Sequence, residues 1–579
     1  MNMFTRDRRL VPIILYGAAA IFSAASFAHI QSIGLVNVLI DSQSHLLQAL
    51  QVVKSITPSV SQLGFWPPLL RSILVPAVFL LPKSLLLAFG AYLTLLPLVL
   101  IGSYFLYGIA RLCGASRVTS LLAPALFNLH PFLQYYASSA LTEVPLVVMV
   151  LGATYYALQW SNTLSMVHLS LLGAFVSLAT LSRFEGGLLV PLSVAFVMLT
   201  CWRERMHFDK LKAITLTYVF MAVLGSAFIV LYSSFYADSP FAFLSLGVER
   251  VEVQSASLRI SGASYDLLLA ALHVFYRASL HMHGAWLLWS FPPAVAIMLL
   301  LRRRWKDAFV LLFLASPAIF VVTMMALGRN SISVEELPKW RTDTTEPYGL
   351  FANTRYAFTW ISAAILPLVL AIDSLARRRY LRHVAMIVLL PATLFAAAGW
   401  YWHVAFSTNY HVISYDDSVP PSLRQGVEAV DDDGDVLFRD YDGGRYLMSR
   451  YYSESDMLNA NVPMGKFVYE GSYLYFDQAV REPWLFVRWI AIRHSTPDNQ
   501  DVSRIKILRD MLETERRPEF HFYYELVAEG AYSRVYRLRE NVLRAQAESI
   551  GYDTAKIPSL NPNAPWKPRE IYEELVRIR

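Results

Sequence analysis

The sequence is short of cysteine and of charge. It holds only Cys113 and Cys201 among 579 residues, each near the end of an apolar stretch, which argues against a disulfide scaffold, a cysteine-built metal cage or a thiol enzyme. Charged residues make up 16%, well under the share of about 25% usual in soluble domains. There is no evident internal repeat and no long low-complexity tract. The short alternating segments of a membrane β-barrel are also missing. The net charge of +6 is modest and sits in small clusters beside apolar stretches, so it reports topology and excludes a nucleic-acid-binding surface.

What is present is apolar. Hydrophobic residues reach 55% and the mean hydropathy is +0.40. Long apolar stretches recur from Val11 to His403, the pattern of a polytopic α-helical membrane protein. Spans at 11–31, 86–110, 119–135, 145–160, 166–181, 187–202, 212–234, 285–301, 308–328, 353–375 and 384–403 give about eleven crossings. The basic N-terminus "MNMFTRDRRL" points to the cytoplasm, and Val11–His29 reads as an uncleaved first span. The clusters "RLCGASR", "WRER", "RRRWK" and "ARRRYLRH" then all fall on the cytoplasmic side. Pro67–Leu81 is apolar but short, and reads as a juxtamembrane or re-entrant helix.

This topology sorts the chain by side. The first loop, 32–85, the turns around Glu143 and Arg183, and the loops 236–283 and 329–352 fall outside the cell membrane. Residues 1–403 form the membrane module, and 404–579 form an extracytoplasmic domain. In that domain "DVLFRDY", "WLFVRWIAI" and "SRVYRLR" read as strands, "VSRIKILRDMLETE" as an amphipathic helix, and the tail as a short final helix. About 170 residues suffice for one small α/β domain.

Few ionisable residues lie along the outer side, and they are the candidates for chemistry. Asp41 and His45 are one helical turn apart in "DSQSHLLQALQVV", so they share a face of a helix that Asp41 could N-cap at the membrane surface. Trp66 in "QLGFWPPLL" reads as an interfacial anchor and turn. Glu143 opens a span at its outer mouth, Arg183 and Glu185 lie between two spans, and Arg355 opens another. Each has an ordinary reading as a snorkelling anchor or a local ion pair. Several on one side suggest a polar site at a membrane surface. "DDDGD" (431–435) lacks the spacing of a calcium loop and reads as a solvated turn. "HMHG" offers two histidines without further zinc ligands, which favours an interfacial or substrate-facing role.

The order of these motifs resembles a known family. An early external Asp loop, then "ALTEVPL", "LATLSRFEGGLLVP" and "FANTRYAFTWISAAILPLVLA", is similar to the GT-C membrane glycosyltransferases. The branch is that of the protein O-mannosyltransferases and bacterial lipid A aminoarabinose transferases, and the resemblance covers roughly 11–400. Many members carry a paired Asp-Glu in the first loop, whereas this chain has Asp41-Ser42, which weakens any claim for a metal there.

The resemblance implies an integral-membrane enzyme that moves a hexosyl or pentosyl group from a polyprenyl-phosphate carrier to an acceptor hydroxyl at the outer face. The acceptor is a lipid, a glycan or a protein. Asp41 is the implied general base of an inverting displacement. Arg183 and Arg355, with Lys54 and Arg71 behind them, are the implied cations for the phosphate. Glu143 would orient a sugar or help hold a divalent cation, His45 would contact substrate or steady Asp41, and Glu185 would pair with Arg183. No other cofactor is implied. Two further classes remain: a transporter or flippase of a lipid-linked glycan, and an inactive GT-C-like scaffold. Transporters tend to show repeated halves and ionisable residues at mid-membrane, and neither is evident here. The Ser42 departure keeps the scaffold open.

Overall fold

The computed structural model describes residues 3–56, 58, 66–237, 264–302, 305–327, 354–410, 443–448, 462–469, 476–494, 506–529 and 533–561. The chain divides into two compact units. The first comprises Met1–Val38, Phe65–Ala77 and Leu81–Val419; the second comprises Leu39–Gly64, Val78–Leu80 and Pro420–Arg579. The first loop is thereby split, and the stretch that carries Asp41 belongs to the second unit.

The first unit is helical. Eight helices among the described residues are long and apolar enough to cross a membrane: Lys83–Leu112, Glu143–Thr163, Phe184–Arg203, Phe208–Ser234, Ala271–Arg302, Trp305–Ala326, Thr354–Ala376 and Val384–Ser407. The expected span 11–31 lies within α1 (Met3–Ser32). The expected span 166–181 is Met166–Ser182, apolar but only 17 residues. Leu69–Leu80 is likewise short, with 12 residues.

The expected span 119–135 is instead two helices, Arg117–Asn128 and Pro131–Ser138. Proline at position 131 forces the residue before it out of the helical region, and His130 is extended at φ −78°, ψ 119°. The expected span 285–301 is the second half of a kinked helix, Ser264–Arg302. The kink is Gly284, at φ 76°, ψ 157°, a conformation essentially confined to glycine. A Cβ there would also lie 2.8 Å from the Trp400 ring.

The four basic clusters gather at one end of this bundle. Arg302 donates to Asp307 at 2.7 Å and to the Cys113 carbonyl. Arg377 donates to Asp373 at 2.8 Å and to the Gly114 carbonyl. Buried Asp373 also accepts from Ser116 N and Thr119 Oγ1, both at 2.7 Å, and so fixes the start of the helix Arg117–Asn128. The Arg203 guanidinium lies over the Trp305 ring at 5.1 Å. The helix Glu143–Thr163 ends beside Lys306, whose Nζ reaches the Ser161 carbonyl at 3.2 Å. Its first residue, Glu143, therefore lies about 30 Å away at the opposite end of the bundle.

The second unit carries a five-stranded mixed sheet in the order β2-β1-β3-β5-β4. Its strands are β1 (Tyr446–Leu447), β2 (Phe467–Val468), β3 (Trp489–Arg493), β4 (Tyr524–Glu529) and β5 (Ser533–Leu538). β1 is parallel to both β2 and β3, while β5 is antiparallel to β3 and β4. The expected helix forms over Lys506–Glu515 and the strand "SRVYRL" is β5. Only the end of "WLFVRWIAI" is a strand; Pro483–Phe486 is a helical turn that starts at the proline and leaves Trp484 and Phe486 in the core. The expected strand "DVLFRDY", the "DDDGD" turn, the loop 329–352, residues 238–263 of the loop 236–283 and the final helix lie outside the described residues.

The second unit also holds α2 (Ile40–Lys54), and Ile56 just beyond it packs on the sheet's core. The N-cap of α2 is Leu39, not Asp41, which sits in the first turn where the helix dipole favours a carboxylate. The expected amphipathic surface helix is instead buried almost throughout. Ser42, Gln43, His45, Gln48 and Gln51 are as enclosed as Leu46, Leu47 and Leu50.

Candidate active site

Two helices of the first unit, Glu143–Thr163 and Thr354–Ala376, are enclosed along nearly their whole length, while the outer ones present most of their residues to the surroundings. Both begin at the end opposite the basic clusters. Each brings one ionisable residue there: Glu143 as the first residue of its helix, and Arg355 on the 3-10 segment Thr354–Trp360 that opens the other. A third contribution comes from "SRFEGG". The helix Met166–Ser182 stops because Arg183 is extended (φ −157°, ψ 154°), and the 3-10 turn Phe184–Leu188 follows with Glu185 in it.

These segments place four charged side chains in contact. Arg183 Nε and Nη2 donate to Glu185 Oε1 at 3.0 and 2.7 Å. Its Nη1 donates to Glu143 Oε1 at 2.8 Å and to Thr142 Oγ1 at 2.9 Å. Arg355 Nε approaches the same Glu143 oxygen at 3.5 Å. The Tyr356 ring lies under Arg183 at 4.8 Å and near Arg355 at 5.7 Å. Two arginines thus balance two carboxylates in a place that water hardly reaches: the side chains are 11% (Arg183), 0% (Glu143), 8% (Glu185) and 5% (Arg355) exposed. Burial disfavours the Arg183 charge, but the Glu185 and Glu143 carboxylates outweigh it and hold its pKa above the ordinary value. Glu143 Oε2 is buried and has no hydrogen-bond partner among the described residues. A group that donates a hydrogen bond, such as a hydroxyl, would satisfy it.

Gly186 makes the turn possible. A Cβ there would lie 2.2 Å from the Ala179 carbonyl oxygen, a backbone atom that cannot move aside, whereas a Cβ on Gly187 meets nothing within 4 Å. We therefore expect Gly186→Ala to cost about 1–3 kcal/mol. Gly187→Ala should leave stability within about 0.5 kcal/mol. Thermal unfolding of the two variants side by side checks this, and equal loss in both would sink the argument.

The remaining sequence candidates belong to other elements of the chain. Asp41, His45 and Lys54 are on α2, in the second unit. Asp41 is half-buried, Lys54 is exposed at the last turn, and His45 is buried at 5% exposure rather than a surface histidine. Trp66 is half-buried, and its carbonyl oxygen accepts a hydrogen bond from Arg71. Arg71 also donates to the Pro67 carbonyl at 2.8 Å and is fully buried, at the start of Leu69–Leu80. The "HMHG" histidines do not form an interfacial pair: His283 is fully buried and bonded to His130, a partner that sequence spacing could not indicate. Tyr356 and Thr142 also escaped the sequence reading, although both adjoin residues that it chose.

No family model matches the sequence, and no curated protein matches it. Solved structures do match it. ArnT from Cupriavidus metallidurans in the apo state is similar at 12% identity and a TM-score of 0.53, covering 92% of this chain and 98% of that one. The same protein bound to undecaprenyl phosphate matches at 13% identity and a TM-score of 0.50, covering 90% and 97%. An oligosaccharyltransferase from Archaeoglobus fulgidus follows at 12% identity and a TM-score of 0.45, covering 90% and 72%. The chain has a GT-C-like fold, and the match to ArnT extends over nearly the whole of both chains.

Proposed function

We propose that the protein is an integral-membrane glycosyltransferase that takes a sugar from a polyprenyl-phosphate carrier and passes it to an acceptor hydroxyl at the outer face, with inversion. The observation that carries this reading is the buried cluster of Glu143, Arg183, Glu185 and Arg355, at the end of a GT-C-like bundle opposite its basic clusters. By the positive-inside rule that end faces outward. The undecaprenyl phosphate bound to the ArnT neighbour supports a lipid-phosphate carrier for this chain as well.

The chemistry is a single displacement. The acceptor oxygen forms a bond to the anomeric carbon, and the bond from that carbon to the phosphate oxygen breaks. The polyprenyl phosphate leaves with the electron pair, and the acceptor proton passes to a carboxylate. Arg355 stabilises the charge growing on the phosphate, and Arg183, whose nitrogens already donate to Glu185, Glu143 and Thr142, adds its positive charge to the same site. Glu143, itself held by Arg183, accepts a sugar hydroxyl on its Oε2. Asp41 is the base, with His45 beside it one turn along the same helix. Its assignment rests on residue type and place in the chain: a half-buried carboxylate in the first turn of α2, directly after α1. Lys54 and Trp66 are assigned to the carrier's headgroup and its interfacial surroundings. Residues 404–579 are then extracytoplasmic.

The test is transfer from a panel of radiolabelled polyprenyl-phosphate pentoses and hexoses, in membranes containing the wild-type chain or Arg355→Ala. Label that reaches an acceptor with the wild type and falls about 100-fold with the variant supports the reading. Label that moves equally with both removes Arg355 from the site. A carrier consumed or moved across the membrane without transfer would favour a flippase instead.

A further inference from the structure

The 3-10 segment Thr354–Trp360 is a weak element on which to mount Arg355. It runs for seven residues, whereas 3-10 geometry rarely persists beyond about four because its hydrogen bonds are poorly aligned. Something outside the segment has to hold it, and two histidines far apart in sequence are placed to do so.

His283 Nε2 lies 2.8 Å from the Ala357 carbonyl oxygen, and His283 Nδ1 lies 2.9 Å from His130 Nε2. A carbonyl oxygen only accepts, so His283 Nε2 carries the proton. With one proton on the ring, its Nδ1 must accept, and His130 Nε2 donates to it. The chain of donors therefore runs in one direction, from His130 through His283 to the backbone of the segment. Neither ring is exposed, at 3% and 0%.

Aromatic contacts grip the same residues. Trp360 packs edge-on against His283 at 5.4 Å and donates from Nε1 to Ser279 Oγ at 3.2 Å. Phe358 packs on His130 at 5.5 Å and on Tyr136 at 5.0 Å. Residues 357–360 are thus held between the first half of the kinked helix and the junction before Pro131. Arg355 and Tyr356 extend from this held part into the charged cluster. His283 is the last helical residue before the Gly284 kink, and His130 is the extended residue before Pro131. Both breaks in the helical pattern therefore fall at the clasp.

We propose that His283, oriented by His130, is a positioning residue that fixes the 3-10 segment and through it sets Arg355 and Tyr356 for the donor phosphate. The part concerning the donor rests on the glycosyl-transfer reading above.

The experiment uses the full chain in detergent, as wild type, His283→Ala and His283→Gln, with glutamine's Nε2 standing where the ring Nε2 does. Hydrogen exchange reads the clasp directly. Amides of 354–360 should exchange about 10-fold faster in His283→Ala, with the wild-type rate largely restored in His283→Gln. Transfer from the wild type's best polyprenyl-phosphate sugar reads the consequence. In His283→Ala the kcat for that donor should fall about 10-fold with KM within about 2-fold, and glutamine should recover most of it. Unchanged exchange in His283→Ala overturns the clasp whatever the activity. Faster exchange with an unchanged kcat overturns the positioning role. Absence of transfer by the wild type instead overturns the glycosyltransferase reading, and the exchange result still decides the clasp.

Discussion

Arg183→Ala should be the most damaging single change in the membrane unit, costing about 3–5 kcal/mol of stability. The side chain makes four hydrogen bonds, to Glu185, Glu143 and Thr142, and its removal leaves two carboxylates that are 0% and 8% exposed without their main counter-charge. Arg355 is a weaker counter-charge for Glu143, at 3.5 Å against 2.8 Å for Arg183. Arg183→Lys keeps the charge but has no planar fork to serve both carboxylates, so its loss should be intermediate. Glu185→Gln should cost less than either arginine variant, since Glu143 and Thr142 still hold Arg183. Thermal unfolding in detergent gives the ranking. If Arg183→Ala unfolds at the wild-type temperature, the cluster does not anchor the bundle.

Asp41→Asn should have the opposite profile. Transfer falls by about 10²–10⁴-fold, the usual contribution of a general base. Stability falls by no more than about 1 kcal/mol, since the carboxamide keeps the carboxylate's shape and gives up only its charge at the helix N-terminus. Asp41→Ser removes the carboxylate by another route and should match it. Transfer that persists in Asp41→Asn excludes this residue as the base while leaving the phosphate roles of Arg183 and Arg355 standing. Loss of transfer together with loss of folding would mean that the first-turn carboxylate supports α2 instead. A stable but inactive variant also removes the inactive-scaffold reading, because an inactive wild type has nothing to lose.

Much of the candidate site was legible as residues but not as a contact set. Glu143, Arg183, Glu185 and Arg355 each lie at the mouth of an apolar segment, and the basic clusters at the other ends of those segments fix their common side. That Arg183 would bridge both carboxylates could not be read from spacing, because its partners lie 40 and 2 positions away in the chain. The two broken helices were missed for a related reason. Pro131 and Gly284 are single residues inside apolar runs, and prolines such as Pro97, Pro124 and Pro367 sit within helices elsewhere in the chain. Hydropathy averages over such residues and does not register where the backbone turns.

The amino-acid sequence by itself determined that this is a chain of apolar helices with sparse charge and a polar C-terminal domain. Those properties follow from burial of apolar side chains and from the cost of placing charge in a membrane, both of which are local to each segment. The tertiary structure alone decided that α2 folds into the second unit, that Arg71 is buried and donates to the Pro67 carbonyl, and that His130 finds His283. Each of these depends on a polar group in an enclosed place meeting a partner from a distant part of the chain. Composition requires that such a partner exist, and only packing selects which residue it is.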